Sequence, residues 1–132
     1  MSRSKLILMV ILSFAAAGLR AEVMVDDDLG NTVRLERPAD RIVSLAPHLT
    51  EIVFAAGAGD KLIGVVSYSD YPPAALDVPI IGSYYSINYE ALVALQPGLV
   101  LVWNSGNGEE LAERIEALGL TVFVSEPKRL PD

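Results

Sequence analysis

Four short runs of the chain are apolar at almost every position, and each lies beside a stretch whose apolar residues return at helical spacing. The runs are Arg41–Leu45 (RIVSL), Leu62–Val66 (LIGVV), Leu99–Trp103 (LVLVW) and Thr121–Val124 (TVFV). Strands that are apolar throughout, rather than alternating, are buried on both faces. Between them, Leu49, Ile52, Val53 and Ala56 form a helical stripe that opens at Pro47, a residue suited to the first helical position, and stops at Gly57 or Gly59. Asn88 can cap a helix over Tyr89–Gln96, with Leu92 and Leu95 inward and Pro97-Gly98 as its stop. Leu111, Ile115 and Leu118 make a third stripe ending at Gly119, and Asn107 with Glu110 gives an N-x-x-E variant of the capping box ahead of it. Buried strands alternating with helices predict an α/β fold: a Rossmann-like parallel sheet with flanking helices over 41–126.

The flanks read differently. Residues 22–40 predict an amino-terminal β-hairpin, because Val23 and Val25 alternate with polar residues, Asp27-Asp28-Leu29-Gly30-Asn31 supplies turn chemistry, and Thr32, Val33 and Leu35 resume the strand. Asp26 to Asp28 lack the spacing and closing glutamate of a calcium loop, so a solvated turn is the expectation. Met1–Ala21 has the three parts of a secretory signal: Arg3 and Lys5, an apolar run over Leu6–Gly18 too short to span a bilayer comfortably, and the small Ala21 for cleavage. Export to the periplasm follows as an expectation, without membrane insertion after cleavage. Residues 127–132 are polar and proline-containing, and read as the start of a linker.

Composition narrows the function. A chain of 132 residues with 52% hydrophobic positions fits one cored domain. It has no cysteine, which excludes disulfides, thiol nucleophiles and cysteine-zinc sites. Net charge is −7; without Arg3, Lys5 and Arg20, seven bases face seventeen acids, a charge of −10. Nucleic acid is therefore excluded as a partner, and a monomer is expected.

Ligands of open parallel sheets bind beyond the carboxyl ends of the strands. The segments there are Ala46-Pro47-His48, Ser67–Tyr71 and Asn104–Gly108 behind Trp103, with Ser83–Ser86 near the same rim. They hold four of the five tyrosines and the single tryptophan. Such a rim suits a large, ring-shaped, partly apolar ligand; packing of the same rings on their own sheet is the competing reading. Catalysis finds little support. There is no G-x-S-x-G elbow, no Walker loop and no dinucleotide fingerprint, and Asp70 has no carboxylate partner. The lone His48 reads as a solvated residue or cap, with haem ligation as the lesser alternative. No catalytic residue, metal site or resident cofactor is expected; a small α/β enzyme and a structural interaction domain are the readings from other classes.

The run RIVSLAPHLTEIVFAAGAGDKLIGVVSYSDYPP (Arg41–Pro73) resembles the opening of the class III, cluster-A periplasmic binding proteins, which serve ABC importers for cobalamin, haem and iron-siderophores. SYSDYPP, Asn88-Tyr89-Glu90, Leu95–Val100 (LQPGLV) and Trp103 followed by Gly106-Asn107 carry the likeness further, and SYSDYPP favours the cobalamin branch. The resemblance implies one lobe of a two-lobed, non-enzymatic substrate-binding protein that delivers cobalamin (vitamin B12) to a membrane permease, with an iron-siderophore or haem carrier as the alternative. It implies that Tyr68, Tyr84 and Trp103 line the corrin, that Ser69, Asp70 and Asn107 supply polar groups to it, and that Glu90 docks onto permease arginines. Tyr84 stands where the cobalamin branch has tryptophan. The linking helix and carboxyl lobe would follow residue 132, so weak or absent cobalamin binding is expected of these residues alone.

Overall fold

The computed structural model describes residues 21–128. The signal reading of Met1–Ala21 and the end of the linker reading therefore lie outside the described residues, apart from Ala21 and 127–128.

In chain order, β1 (Val23–Asp26) and β2 (Thr32–Leu35) form an antiparallel hairpin. Then come β3 (Ile42–Ser44), helix α1 (Pro47–Ala55), β4 (Leu62–Gly64) and a small hairpin, β5 (Gly82–Ser83) with β6 (Ser86–Ile87). Helix α2 (Tyr89–Ala94), β7 (Leu99–Trp103), the single helical turn α3 (Asn104–Asn107), helix α4 (Leu111–Ala117) and β8 (Val122–Ser125) complete the described chain. The sheet runs β4-β3-β7-β8, and all three pairings are parallel. The expected α/β fold with a parallel sheet and flanking helices is the observed one.

Packing explains the two-sided burial. Ile42, Val53, Leu62 and Val65 form one cluster, with Phe54 and Leu101 against it, so α1 covers that face. Val43, Leu45, Val100, Val102, Val122 and Val124 join Leu92 of α2 and Leu111 and Ile115 of α4 on the other. The alternation along each strand (Ile42 to one side, Val43 to the other) is the period-two geometry of a pleat with helices on both faces. From β3 the chain passes to β4 on one side; from β7 it passes to β8 on the other. The direction of winding reverses between β3 and β7, which is where an open sheet leaves a crevice at its carboxyl ends.

Three local expectations are corrected. Asp27 is not solvated: it is buried, and its carboxylate accepts the backbone N–H of Leu29 at 3.0 Å and of Asn31 at 2.8 Å, closing the hairpin turn. The next residue docks that turn on the sheet edge, since Asp28 N–H donates to Val124 O at 3.0 Å and Asp28 Oδ2 accepts Glu126 N–H at 2.7 Å. This gives partners to the outer side of β8, which would otherwise be an open edge. The N-x-x-E box does not form. Asn107 belongs to α3, Glu110 precedes α4 without a side-chain cap, and its carboxylate pairs instead with Arg114 at 3.1 Å. Finally, α2 stops at Ala94 rather than Gln96; Gln96 takes a φ of +49°, and the Arg41 guanidinium accepts the role of terminal cap by donating to the carbonyls of Leu95 and Gln96. Asn88 does cap α2, its Oδ1 accepting Ala91 N–H at 3.0 Å.

Candidate ligand-binding site

The carboxyl ends of β3 and β7 lie side by side at the crevice, and the aromatic residues gather there. Beyond β3, Pro47 starts α1 and places His48 in its first turn. Beyond β7, α3 folds the chain back under the Trp103 indole. A Cβ at Gly106 would lie 1.9 Å from Trp103 Cε3, so only glycine lets the ring rest there. The Glu126 carboxylate accepts Ser105 N–H at 2.8 Å and tethers the start of the same turn. Opposite stands the β5–β6 hairpin, with Tyr84 and Tyr85 as its two-residue tip. Gly82 is required at its base: its φ is +147°, and a Cβ would meet Ser86 O at 2.3 Å.

These segments bring four rings into a chain. His48 and Trp103 pack edge to face with centroids 5.0 Å apart, Trp103 and Tyr84 lie 6.1 Å apart at a 46° tilt, and Tyr84 meets Tyr85 at 5.2 Å, nearly perpendicular. Trp103 and Tyr84, expected in one site, are thus together. Tyr68 belongs to the neighbouring loop and makes no ring contact with them among the described residues. It is 81% exposed, with a φ of +69° that turns its side chain outward. Its neighbours bind that loop to both sides of the rim: Ser67 donates N–H and Oγ to Gly82 O, and Ser69 meets Thr50 of α1 at 3.2 Å. Asp70 is exposed beside it.

Two of the expected polar contacts face inward. Ser69 is buried, and its hydroxyl ends a relay in which Thr50 Oγ1 lies 3.0 Å from Ser44 Oγ. The Asn107 amide is committed to backbone: Nδ2 donates to Leu45 O and Tyr84 O, while Oδ1 accepts Trp103 N–H at 2.6 Å. The Ser69 side chain thus shapes the rim from within, whereas Asn107 is half-buried and also lines the cavity beside the hairpin tip. The expectation for His48 is corrected. It is not a solvated cap: its Nε2 is buried without a hydrogen-bond partner, and desolvation lowers its pKa below the ordinary 6.5, opposed in part by Glu51. Its position right after the strand at the crevice was the signal for a rim residue. Beside the Tyr84–Tyr85 tip, an open cavity of about 420 Å³ is walled by Tyr84, Tyr85, Tyr89, Asn107, Glu110 and Arg114. Glu90 is exposed in the first turn of α2, beside a shallow apolar depression formed by Val93, Ala94 and Leu118. No group of three or more His, Cys, Asp or Glu side chains able to hold a metal ion occurs among the described residues.

Comparison with known proteins fits this geometry. Residues 42–129 match the periplasmic binding protein family, and the chain belongs to it. It is 45% identical over 95 residues to the vitamin B12-binding protein of Vibrio cholerae, covering 72% of this chain and 34% of that protein, and 42% identical over 92 residues to the vitamin B12-binding protein of Yersinia pestis, covering 70% and 33%. The crystal structure of the Vibrio cholerae protein superposes with a TM-score of 0.65 at 46% identity, covering 69% of this chain and 36% of that one. The heme-binding protein HmuT superposes at 0.69 with 26% identity, covering 83% and 36%. The chain spans about a third of the length of these relatives.

Proposed function

We propose that this chain forms one wall of a cobalamin-binding cleft in the non-enzymatic substrate-binding component of an ABC importer, acting in the periplasm. The observation that carries the reading is the contact of Trp103 with Tyr84 at the point where the sheet's winding reverses. Each large ring offers roughly 150–250 Å² of surface for burial, and a corrin presents a broad, partly apolar face to receive it. Tyr68 extends the wall from the adjacent loop, with Asp70 beside it for the amide-bearing corrin edge. Ser69 and Asn107 hold these segments rather than touch the ligand. Capture needs no bond to be made or broken, so no general base or nucleophile is required. Glu90, exposed on α2 next to an apolar depression, suits docking onto arginines of a permease, where a charge-assisted pair sits beside apolar contact. The similarity to proteins named for vitamin B12 binding at 42–45% identity supports this choice within the family.

Haem is the second reading. It is favoured by one observation, the buried and unpartnered His48 Nε2 beside Trp103. Equilibrium dialysis separates the two. The chain, at about 1 mM to register weak binding by a single wall, is dialysed against cyanocobalamin, hemin and a ferric siderophore. Preferential retention of cyanocobalamin is expected, with Trp103→Ala and Tyr84→Ala each weakening it by about tenfold. Retention of hemin or siderophore with no cobalamin retained would overturn the proposal.

A further inference from the structure

We infer that Asn107 is the positioning residue of this rim: its side-chain amide stands in for a peptide group at the fork where β3 and β7 part, and fixes the aromatic wall before any ligand arrives. The ladder between the two strands runs from Ile42 opposite Leu99 to Ser44 opposite Leu101, and Leu45 N–H still reaches Leu101 O at 3.0 Å. Beyond that the strands diverge. Leu45 O and Trp103 N–H are left without ladder partners, and both are taken by Asn107. The remaining N–H of the same amide goes to Tyr84 O at the tip of the β5–β6 hairpin. An asparagine side chain has two N–H donors and one oxygen, and here every one of these groups is engaged.

The three partners belong to three separate segments, and each carries a rim ring. Leu45 leads into His48, Trp103 bears the indole, and Tyr84 bears its phenol. One side chain therefore sets the spacing of the rings, and no other residue type of this size can do it. Aspartate would keep the acceptor for Trp103 but turn an anion onto two carbonyl oxygens. Glutamine would carry the same amide one methylene too far. Gly106 lets the indole lie flat on α3, and the Glu126–Ser105 contact holds the start of that turn, so the amide is delivered from a short, doubly anchored loop. A wall built this way spends little ordering on binding.

The inference rests on the cobalamin reading only for its effect on affinity, and the single tryptophan lets the two be tested apart. Asn107→Asp and Asn107→Gln are compared with wild type and with Val53→Ala, a core change on the α1 face. Circular dichroism establishes folding; Trp103 emission and its quenching by acrylamide are read on the folded proteins without ligand, and cyanocobalamin retention by dialysis. The expected result is a shifted emission and greater quenching in both Asn107 variants but not in Val53→Ala, with cobalamin retention weakened about fivefold or more. Where Asn107→Asp does not fold, Asn107→Gln carries the comparison. Emission and quenching unchanged from wild type in a folded Asn107 variant would overturn the inference. An altered tryptophan signal with no cobalamin retained by the wild type leaves the positioning role standing and removes the cobalamin reading.

Discussion

Replacing Gly106 with alanine tests the site with a single methyl group. The φ of Gly106 is not in the left-handed region, so the substitution adds no backbone strain and acts only through the new Cβ. That Cβ would lie 1.9 Å from Trp103 Cε3 and 2.2 Å from Cδ2 and Cζ3. Unstrained carbon contacts need roughly 3.5 Å, so the indole must retreat by about 1.5 Å. It cannot do so freely. Its backbone N–H is held by Asn107, and its ring packs against both His48 and Tyr84. An off-rotamer shift of this size costs about 0.5–1.5 kcal/mol, and loss of the His48 edge-to-face contact about 0.5–1.5 kcal/mol more. A destabilisation of about 1–3 kcal/mol is expected, in line with over-packing elsewhere, together with a changed emission from Trp103 and weaker cobalamin retention. Urea unfolding followed by circular dichroism gives the first quantity, and fluorescence of the folded protein the second. A Gly106→Ala protein with wild-type midpoint and wild-type emission would show that the indole does not rest on α3, and the rim geometry argued above would be wrong.

Three further outcomes follow from named contacts. Asp27→Ala removes the carboxylate that accepts two backbone N–H groups and, at 3.3 Å, the Asn31 amide. It is expected to cost about 1–3 kcal/mol in urea unfolding, with Asp27→Asn recovering part of the loss. Ile115→Ala empties a fully buried position between α4 and the sheet and is expected to cost about 2–5 kcal/mol; a loss under about 1 kcal/mol would contradict the packing described. His48 has a folded pKa below its ordinary 6.5 because burial disfavours the imidazolium. The unfolded chain then binds the proton more readily, so this contribution to stability is complete above pH 6.5 and declines as pH falls from there to the folded pKa. The melting temperature of the wild type should drop over that window relative to His48→Gln; parallel profiles would refute the assignment.

The fold was legible because its strands are short apolar runs and its helices carry clean stripes, and both signals come from burial on two faces of one sheet. The placement of Trp103 at the rim was legible for a related reason, since topology alone delivers the ends of parallel strands to a common edge; Tyr84 reaches the same rim on the separate β5–β6 hairpin. What escaped was side-chain to backbone bonding. Asn107 and Glu110 have the spacing of a capping box, but the parting of β3 and β7 leaves two orphan backbone groups that compete for the same amide, and one of them, Leu45 O, lies 62 positions away in the chain. Asp27 reads as one of three solvated acids because the turn it closes is local, at Leu29 and Asn31, whereas the docking of that turn on the sheet edge, through Asp28 to Glu126, spans 98 positions. His48 reads as exposed because burial of its Nε2 depends on Trp103, which lies 55 positions later in the sequence.

The same division explains how SYSDY works as a unit. Ser67 and Ser69 point inward and spend their hydroxyls on Gly82 O and Thr50, while Tyr68 between them is thrown outward by its positive φ. Thr50 in turn reaches Ser44, so the relay roots the loop at the end of β3. A loop held by apolar packing would have to commit its tyrosine to the core. A loop held by small hydroxyls keeps the ring free for a ligand while Ser67 and Ser69 tie its backbone to Gly82 and Thr50. The rim is therefore built from two kinds of residue in alternation, small polar side chains that bind the protein to itself and large rings that remain available. Ser69→Ala should speed hydrogen exchange of the backbone amides of residues 67–71 while those of β3 and β7 stay protected, because the relay lies at the strand ends and outside both apolar clusters; unchanged exchange in the loop would contradict this role of the hydroxyl.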